Sequence, residues 1–318
     1  MQFNSAVRMI GPLRRPLRNY VLGNRLKFPK LISLELTNAC NARCVMCPRD
    51  HMSRKIGNMG MEIIEKICRD AYKKPVRKIN MFGFGESLLH PRHIDMINFV
   101  KKSLPGVELN LSTNAQLLDD RHASELLASG IDRINIDIDG VTKETYEQVR
   151  KQLSFETVTA NIKNLIRMRN KLHSRVVISV TIIEMDLTEA EIQSFRRLWS
   201  GEADIVYINH YNTWTGIFPD RNTKKVTLNK FTAPCKNPWK EMIVNYNGSV
   251  AFCCMDFDST VVIGNIMEQT IEEIWRGEKM EKLRQLHLEG RYNEIPICSR
   301  CNEFVFQSNT FWANLFAK

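Results

Sequence analysis

The fold class follows from one stretch of the chain, which reads Leu31-Ile-Ser-Leu-Glu-Leu-Thr-Asn-Ala-Cys40-Asn-Ala-Arg-Cys44-Val-Met-Cys47. Apolar side chains dominate residues 31–37 and predict a β-strand. The strand runs directly into a loop in which three cysteines follow the spacing C-x3-C-x2-C. A strand that delivers several thiols to one loop is typical of a site built at the end of a sheet.

The same alternation of strand and loop continues along the chain, with helical patterns in between. Apolar, β-branched runs predict further strands at 77–83, 107–112, 133–139, 176–183 and 204–209. Apolar residues at helical spacing predict helices at 61–72, 91–102, 119–129, 142–150, 155–172 and 188–199. Alternating strands and helices indicate an α/β fold with a parallel sheet and right-handed crossovers. Six units are two short of a closed barrel, so we expect a partial (β/α)6 TIM-like barrel.

The pattern changes after about residue 215. We expect three regions: a basic N-terminal extension over residues 1–30, the barrel over 31–215 and a small C-terminal domain over 216–318. In the last region, Asn247-Gly248 between apolar runs at 241–246 and 250–254 predicts a β-hairpin. A helix is predicted at about 270–289, where Thr270 and Glu273 form a capping-box pattern.

Composition and charge narrow the class of protein. Hydrophobic residues make up 43% and charged residues 25% of the 318 residues, which excludes a disordered chain. The formal net charge is +10, and residues 1–30 supply most of it through seven cations: Arg8, Arg14, Arg15, Arg18, Arg25, Lys27 and Lys30. A local basic arm does not favour nucleic acid as the partner. With no apolar run long enough for a bilayer and no evident secretory signal, we expect a cytoplasmic protein without a transmembrane segment.

Cysteine is the most informative residue type. The chain has nine cysteines, an odd number that argues for metal or redox chemistry rather than a disulfide framework. Three thiols at Cys40, Cys44 and Cys47 suit an iron–sulfur cluster with one open iron, although zinc or inert thiols remain alternatives. A second set of four closes a metal site completely, with zinc as the default alternative: Cys235, Cys253, Cys298 and Cys301.

The first cysteine group resembles the signature of the radical S-adenosylmethionine (radical SAM) superfamily. Four further segments resemble family positions in order and spacing: Gly83-Phe84-Gly85-Glu86, Ser112-Thr113-Asn114, Asp137-Ile138-Asp139-Gly140 and Tyr146-Glu147-Gln148-Val149-Arg150. Ser87 and Met46 depart from common family residues without unsettling the resemblance. The resemblance implies a [4Fe–4S] cluster held by three cysteines and by SAM. It also implies contacts to SAM from Glu86, Asn114 and Arg150.

The second group resembles the auxiliary-cluster domain of the same superfamily. Its larger version, called SPASM, has further cysteines after the C-x2-C pair, where this chain has Gln307 and Phe311. The resemblance is therefore to the shorter "twitch" version and implies one auxiliary [4Fe–4S] cluster. Its spacing is similar to that of a radical SAM dehydrogenase acting on an aminocyclitol. A fully ligated cluster suits electron transfer, and a cluster that only holds the fold together is the alternative.

The resemblance implies reductive cleavage of SAM to a 5′-deoxyadenosyl radical, which abstracts hydrogen from a small polar substrate such as a sugar or aminocyclitol. We expect oxidation or epimerisation, with electrons from a donor such as flavodoxin or ferredoxin. A peptide-modifying maturase is the alternative, although residues 1–30 are too few for a peptide-recognition domain. A non-catalytic iron–sulfur or zinc scaffold is more remote.

The remaining candidates are residues whose role the sequence leaves open. Strand alternation predicts that Cys254 points away from Cys253 and does not share its cluster. Cys254 is then either a packing residue or the hydrogen-atom donor of an epimerase. Cys68 lies on the apolar face of a predicted helix, where packing is expected. Four residues beyond the sixth strand are candidates for the pocket wall or for interdomain packing: His210, Tyr211, Asn212 and Trp214.

Overall fold

The computed structural model describes residues 27–222 and 235–303. Nearly all of the basic extension lies outside these residues, and so do positions 307 and 311, so the expectations for them are not addressed by the structure. Among the described helices, none combines the length and the apolar character needed to cross a bilayer.

One open sheet of nine strands forms the centre of the molecule. Six of its strands are parallel neighbours in chain order, as predicted: β1 (Leu31–Leu34), β3 (Lys78–Met81), β4 (Glu108–Thr113), β5 (Arg133–Asp137), β7 (Val177–Glu184) and β8 (Ile205–His210). Two short strands, β2 (Arg43–Cys44) and β6 (Arg150–Lys151), pair separately. The described residues form no closed barrel, which agrees with the predicted partial barrel.

Helices follow the parallel strands and cover one face of the sheet. They are α1 (Met61–Ala71), α2 (His93–Ser103), α3 (Asp120–Ala128), α4 (Lys143–Val149), α5 (Phe155–Lys171) and α6 (Ile192–Trp199). Side-chain oxygens of Asp119, Thr142 and Ser154 accept backbone N–H bonds at the starts of α3, α4 and α5, as N-caps do. The six predicted helices are therefore confirmed, with ends shifted by a few residues.

The two faces of the sheet differ in polarity because neighbouring strand residues point in opposite directions. The face toward the helices is apolar, and Ile79, Leu109 and Ile134 on it have no exposed surface. On the other face, Asn80 lies opposite Asn110 in register, and the Asn110 side chain donates to Asn80 Oδ1 at 3.2 Å. The concave face of the partial barrel is thus a polar surface.

The C-terminal strands join the same sheet at the edge formed by β1. Strand β9 (Glu241–Val244) pairs in parallel with β1, and the hairpin continues through β10 (Ser249–Ala251) to β11 (Val262–Asn265). The predicted turn is confirmed, with Gly248 at φ +82°, a conformation that glycine adopts without strain. The domain boundary near residue 215 remains a prediction.

Two C-terminal elements are shorter than predicted. Strand β10 ends at Ala251 rather than at residue 254, because the chain turns at Cys253, whose carbonyl accepts the Asp256 N–H at 3.1 Å. The helix predicted at 270–289 is two helices, α7 (Ile271–Arg276) and α8 (Glu278–Leu288), which meet at Gly277 in an extended conformation. The capping box of Thr270 and Glu273 is confirmed. A last short helix, α9 (Pro296–Ser299), carries Cys298.

Candidate functional site

The first three cysteines lie in the loop after β1, at the carboxyl end of the parallel strands. Cys44 lies in β2 and pairs with Arg150 in β6, so a second segment fixes the middle of the loop. The Cys47 N–H donates to the Cys44 carbonyl at 3.0 Å, which brings these two residues into one turn. The structure thus places all three thiols where the fold class positions its functional loops.

The three thiols are partly buried, and burial sets their protonation. Burial raises the pKa of each, to about 12 for Cys44, while the Arg150 guanidinium partly offsets the increase at all three. Buried thiols of this kind release their protons when a metal centre binds them. The positive charge of Arg150 would balance the negative charge of a group bound by thiolates. The three thiols together with this cation therefore fit an iron–sulfur cluster at this loop.

Glu86 lies at the carboxyl end of the sheet, next to the cysteine loop. Its carboxylate accepts bonds from Thr113 Oγ1 at 2.7 Å, the Asn114 N–H at 2.7 Å and the Leu88 N–H at 3.1 Å. The side chain is buried, and the burial raises its pKa. Two carboxylate oxygens offer about four acceptor positions, so three internal bonds leave one for a ligand donor. Glu86 is therefore a positioned acceptor.

Gly85 lets Glu86 approach the cysteine loop. A side chain at Gly85 would place its Cβ 2.1 Å from the Thr37 carbonyl oxygen and 2.6 Å from that of Ala39. The Glu86 N–H bonds to the same Ala39 carbonyl at 2.8 Å. The glycine is required because two backbone segments touch where the cysteine loop begins.

Asn114 lies beside the first cysteine. Its side-chain amide donates to Asn41 Oδ1 at 2.8 Å and lies 4.0 Å from Cys40 Sγ. Its own Oδ1 accepts the Gln116 N–H at 3.0 Å, which fixes the side chain. The structure thus brings Asn114 to the cysteine loop, as the sequence predicts.

The Arg150 side chain also lies near the cysteine loop, where it forms an ion pair with Asp139. Its Nη2 and Nε lie 2.6 and 2.8 Å from Asp139 Oδ2, and both side chains are buried. Asp139 also accepts the Ile183 N–H at 2.7 Å, so the ion pair joins the ends of β5 and β7 to the cysteine loop. Arg150 thus places its charge near the thiols, and two of its five N–H donors lie at Asp139.

The four cysteines of the second group line one cavity together with Asn237, His287 and Glu303. His287 Nε2 lies 3.6 Å from Cys298 Sγ, and burial lowers the pKa of His287 to about 4, which keeps the imidazole neutral. Burial also raises the pKa of Cys235 and Cys298, whose neighbouring thiols add to the effect. Four thiols that line one cavity are the donor set of a fully ligated iron–sulfur cluster. No three Cys, His, Asp or Glu side chains in the described ranges 27–222 and 235–303 form a ready-made single-ion site.

Cys254 does not point away from Cys253, contrary to the alternation expected of a strand. Strand β10 has already ended at this point, and Asn237 Nδ2 lies 4.0 Å from Cys253 Sγ and 3.8 Å from Cys254 Sγ. Cys254 is thus a neighbour of the second cysteine group. Cys68 is buried on the inner side of α1, as expected for a packing residue.

The stretch after β8 connects the two cysteine groups. Trp214 Nε1 donates to the Met46 carbonyl at 2.6 Å, in the first cysteine loop. Asn212 and His210 both contact Glu303 Oε2, at 3.1 and 2.9 Å, two residues after Cys301. Tyr211 is buried among apolar side chains instead of lining a pocket.

Sequence reasoning missed three residues that hold these parts together. Glu303 is one, and its position two residues after a cysteine was the only available signal. The other two are Glu35 and Arg54, whose bidentate pair has contacts of 2.6 and 2.8 Å. Arg54 Nε also donates to the Phe257 carbonyl at 2.8 Å, so the pair spans both regions of the chain.

Comparison with known proteins identifies the class. A family model described as the radical SAM superfamily matches residues 34–196, just over half of the chain, and the chain belongs to this superfamily. A second model, SPASM, an iron–sulfur cluster-binding domain, matches residues 235–302. These two domains carry a SAM-binding [4Fe–4S] cluster and an auxiliary iron–sulfur cluster, in agreement with the cofactors expected from the sequence.

Individual relatives resemble the chain to different extents. A tungsten-containing aldehyde ferredoxin oxidoreductase cofactor-modifying protein of Pyrococcus furiosus is 34% identical over 45% of this chain, but the match spans only 40% of that relative's length. An S-adenosyl-L-methionine-dependent 2-deoxy-scyllo-inosamine dehydrogenase of Niallia circulans is 21% identical over 89% of this chain and 96% of its own. The fold is similar to Streptococcus suis SuiB bound to its precursor peptide SuiA, with a TM-score of 0.66, 14% identity and coverage of 100% and 79% of the two chains.

The buried ion pair gives a first prediction. Asp139→Asn leaves the Arg150 charge buried without its partner and is expected to lower the free energy of unfolding by about 3–5 kcal/mol. Denaturant unfolding measures the change. The matched control is Asp95→Asn, which removes an exposed pair with Arg92 at 3.0 Å and is expected to cost under about 1 kcal/mol. Equal losses in the two variants would contradict a structural role for the Asp139–Arg150 pair.

Proposed function

We propose that the chain is a radical SAM oxidoreductase that oxidises a small polar substrate of the sugar or aminocyclitol type. The observation that carries this proposal is the contact path between the two cysteine groups. Residues 210–214 touch the first cysteine loop through Trp214 and the second group through the bonds from His210 and Asn212 to Glu303. A substrate between the groups therefore has a SAM site on one side and an electron acceptor on the other.

The chain's own residues prepare the first site. Cys40, Cys44 and Cys47 are the proposed ligands of the SAM-binding cluster. The proposed contacts to SAM are Glu86, Asn114 and Arg150. Glu86 is held by Thr113 and two backbone N–H groups, so its remaining acceptor position is preorganised for the amino group of SAM. When bound, the cluster and SAM supply a 5′-deoxyadenosyl radical that abstracts hydrogen from the substrate.

The second site would supply an electron acceptor for the oxidation. Cys235, Cys253, Cys298 and Cys301, which line one cavity, are the proposed ligands of an auxiliary [4Fe–4S] cluster. Full ligation leaves no iron for the substrate and favours electron transfer. Electrons enter the chain from a donor such as flavodoxin or ferredoxin, in the cytoplasm. Epimerisation is the variant of this reaction in which Cys254 returns a hydrogen atom.

Asp137 is the proposed acceptor of the substrate's hydroxyl proton. It ends β5, and strand alternation places it on the same concave face as Arg133 and Asn135. Burial raises its pKa to about 6, with Asp139 adding to the increase and Arg150 opposing it. A carboxylate with a pKa near the working pH is suited to general-base catalysis.

A peptide-modifying reaction is the second candidate. The similarity to SuiB in complex with its precursor peptide extends over the whole chain, which supports a fold that admits peptides as well as small molecules.

Substitution of each cysteine group in turn tests the assignment of two clusters. Anaerobically reconstituted protein is expected to hold about eight iron and eight sulfide per chain. Cys40→Ala/Cys44→Ala/Cys47→Ala should retain about four of each and lose SAM cleavage, because the SAM-binding cluster is absent. Cys298→Ala/Cys301→Ala should also retain about four but still cleave SAM. Iron analysis and quantification of 5′-deoxyadenosine provide the readouts.

The control for this experiment is Cys68→Ala, which removes a buried thiol outside both groups and should leave about eight iron per chain. Loss of SAM cleavage in Cys298→Ala/Cys301→Ala at full content of the first cluster would contradict the separation of roles. Zinc in place of half of the iron would remove the auxiliary electron acceptor.

The pH dependence of the oxidation rate tests the proposed role of Asp137 as proton acceptor. The active form is the carboxylate, so the rate of substrate oxidation should rise with pH, reach half of its maximum near pH 6 and stay level above it. Asp137→Asn should abolish this acidic limb and lower the rate about 10²- to 10⁴-fold, while SAM binding persists. Asp95→Asn, on an exposed helix surface, is the control. An unchanged acidic limb in Asp137→Asn would assign the proton to another group.

A further inference from the structure

A second polar cavity lies at the opposite end of the strands from the cysteine loop. Its volume is about 380 Å³, and it is lined by the amino ends of the parallel strands. Lys78 and Arg133 are the first residues of β3 and β5, and Lys240 immediately precedes β9. We refer to this cavity as the lower cavity. Asp137, at the other end of β5, lies four residues after Arg133, so the lower cavity is about 13 Å from the cysteine end along the strand.

The wall of the lower cavity is strongly cationic. Lys30, Lys78, Arg133 and Lys240 all line it. Glu108 contacts two of these cations, Lys78 at 2.9 Å and Arg133 at 3.8 Å. Glu241 does not line the cavity; its carboxylate accepts a bond from Ser33, burial raises its pKa, and Lys240 lowers it. Even if Glu108 and Glu241 are both counted, the described cations Lys78, Arg133 and Lys240 outnumber these two carboxylates.

Asn110 adds a feature that indicates a ligand. Its side chain lines the cavity and is 4% exposed, and its amide nitrogen donates to Asn80. Its Oδ1 is buried and accepts no hydrogen bond from the described part of the protein. A buried acceptor of this kind is normally satisfied, so it calls for a donor such as a ligand hydroxyl.

The rim of the cavity offers an aromatic surface. Tyr207 on β8 is 41% exposed, and its hydroxyl accepts a bond from Arg133 Nη1 at 3.1 Å. The exposed ring of Tyr207, held in place by Arg133, offers an apolar contact to the carbon skeleton of a hydroxylated ligand that binds beside the charged groups.

We propose that the lower cavity binds a small polyhydroxylated anion through its phosphate or carboxylate group. Lys78, Arg133 and Lys240 hold the charge, and Asn110 accepts a hydroxyl. This anion site lies at the amino ends of the strands, at the opposite end from the cysteine loop, and is therefore separate from the reaction site of the proposed function.

Calorimetric titration of the reconstituted full chain at low ionic strength tests the proposal. The probes are glucose 6-phosphate, gluconate, inorganic phosphate and glucose. We expect the anionic sugars to bind at least tenfold more tightly than glucose, and the tighter of the two identifies the charged group. Equal affinity for glucose, or no binding of any of the three anions, would overturn the proposal.

Three variants locate the binding. Arg133→Gln and Lys240→Gln should each weaken binding of the anionic sugars at least tenfold, and Lys240 is exposed, so its replacement leaves folding intact. Lys143→Gln, whose lysine is exposed and paired with Glu156 on another surface, should leave binding unchanged. Full affinity in both Arg133→Gln and Lys240→Gln would overturn the proposal. Loss of anion binding with intact SAM cleavage separates failure of this site from failure of the proposed function.

Discussion

The charge of Arg150 organises the cysteine end of the molecule. Its backbone pairs with Cys44, and its guanidinium forms a buried pair with Asp139 at the end of β5. Asp139 in turn binds the backbone of Ile183 at the end of β7. Arg150 thus fixes the cysteine loop relative to two strands and offsets part of the rise that burial causes in the pKa of three thiols. A buried cation at this position favours negatively charged thiolates.

Strand alternation explains why the site lies inside the sheet and not on its outer surface. Apolar residues such as Ile79, Leu109 and Ile134 all point toward the helices, so burying them forces their neighbours onto the concave face. Those neighbours include Asn80, Asn110 and Asp137. The same packing that stabilises the fold therefore produces a polar interior that runs from the amino ends of the strands to the cysteines.

Much of this arrangement could be predicted from the sequence, because it depends on local patterns. Periodicity identified the six parallel strands, and the spacing of Cys40, Cys44 and Cys47 indicated the cofactor class. Glu86 and Asn114 lie at the cysteine loop as expected. The C-terminal region was harder: pairing of β9 with β1 joins residues about two hundred positions apart, and no local pattern encodes such a contact.

One expectation at the second cysteine group was wrong. Cys254 was expected to point away from Cys253 because the strand was extended past Ala251, but the chain turns at Cys253, whose carbonyl accepts the Asp256 N–H at 3.1 Å. The contact of Arg150 with SAM stays a prediction, and no sequence pattern revealed that Asp139, eleven residues earlier, accepts two of its hydrogen bonds. Residues such as Glu303 and Arg54 act only through the partners that folding brings to them.

The Glu35–Arg54 pair shows what such long-range contacts contribute. A buried ion pair adds little net stability because desolvation offsets its attraction, but its geometry is specific. Arg54 joins the end of β1 to the Phe257 carbonyl, and Asp258 binds both the hydroxyl and the N–H of Ser53. The segment around Ser53 and Arg54, which follows Cys47, is therefore held between the partial barrel and the C-terminal region. Because Glu303 makes the matching connection from the other side, the relative position of the two cysteine groups is fixed by polar contacts that form only when both regions are folded.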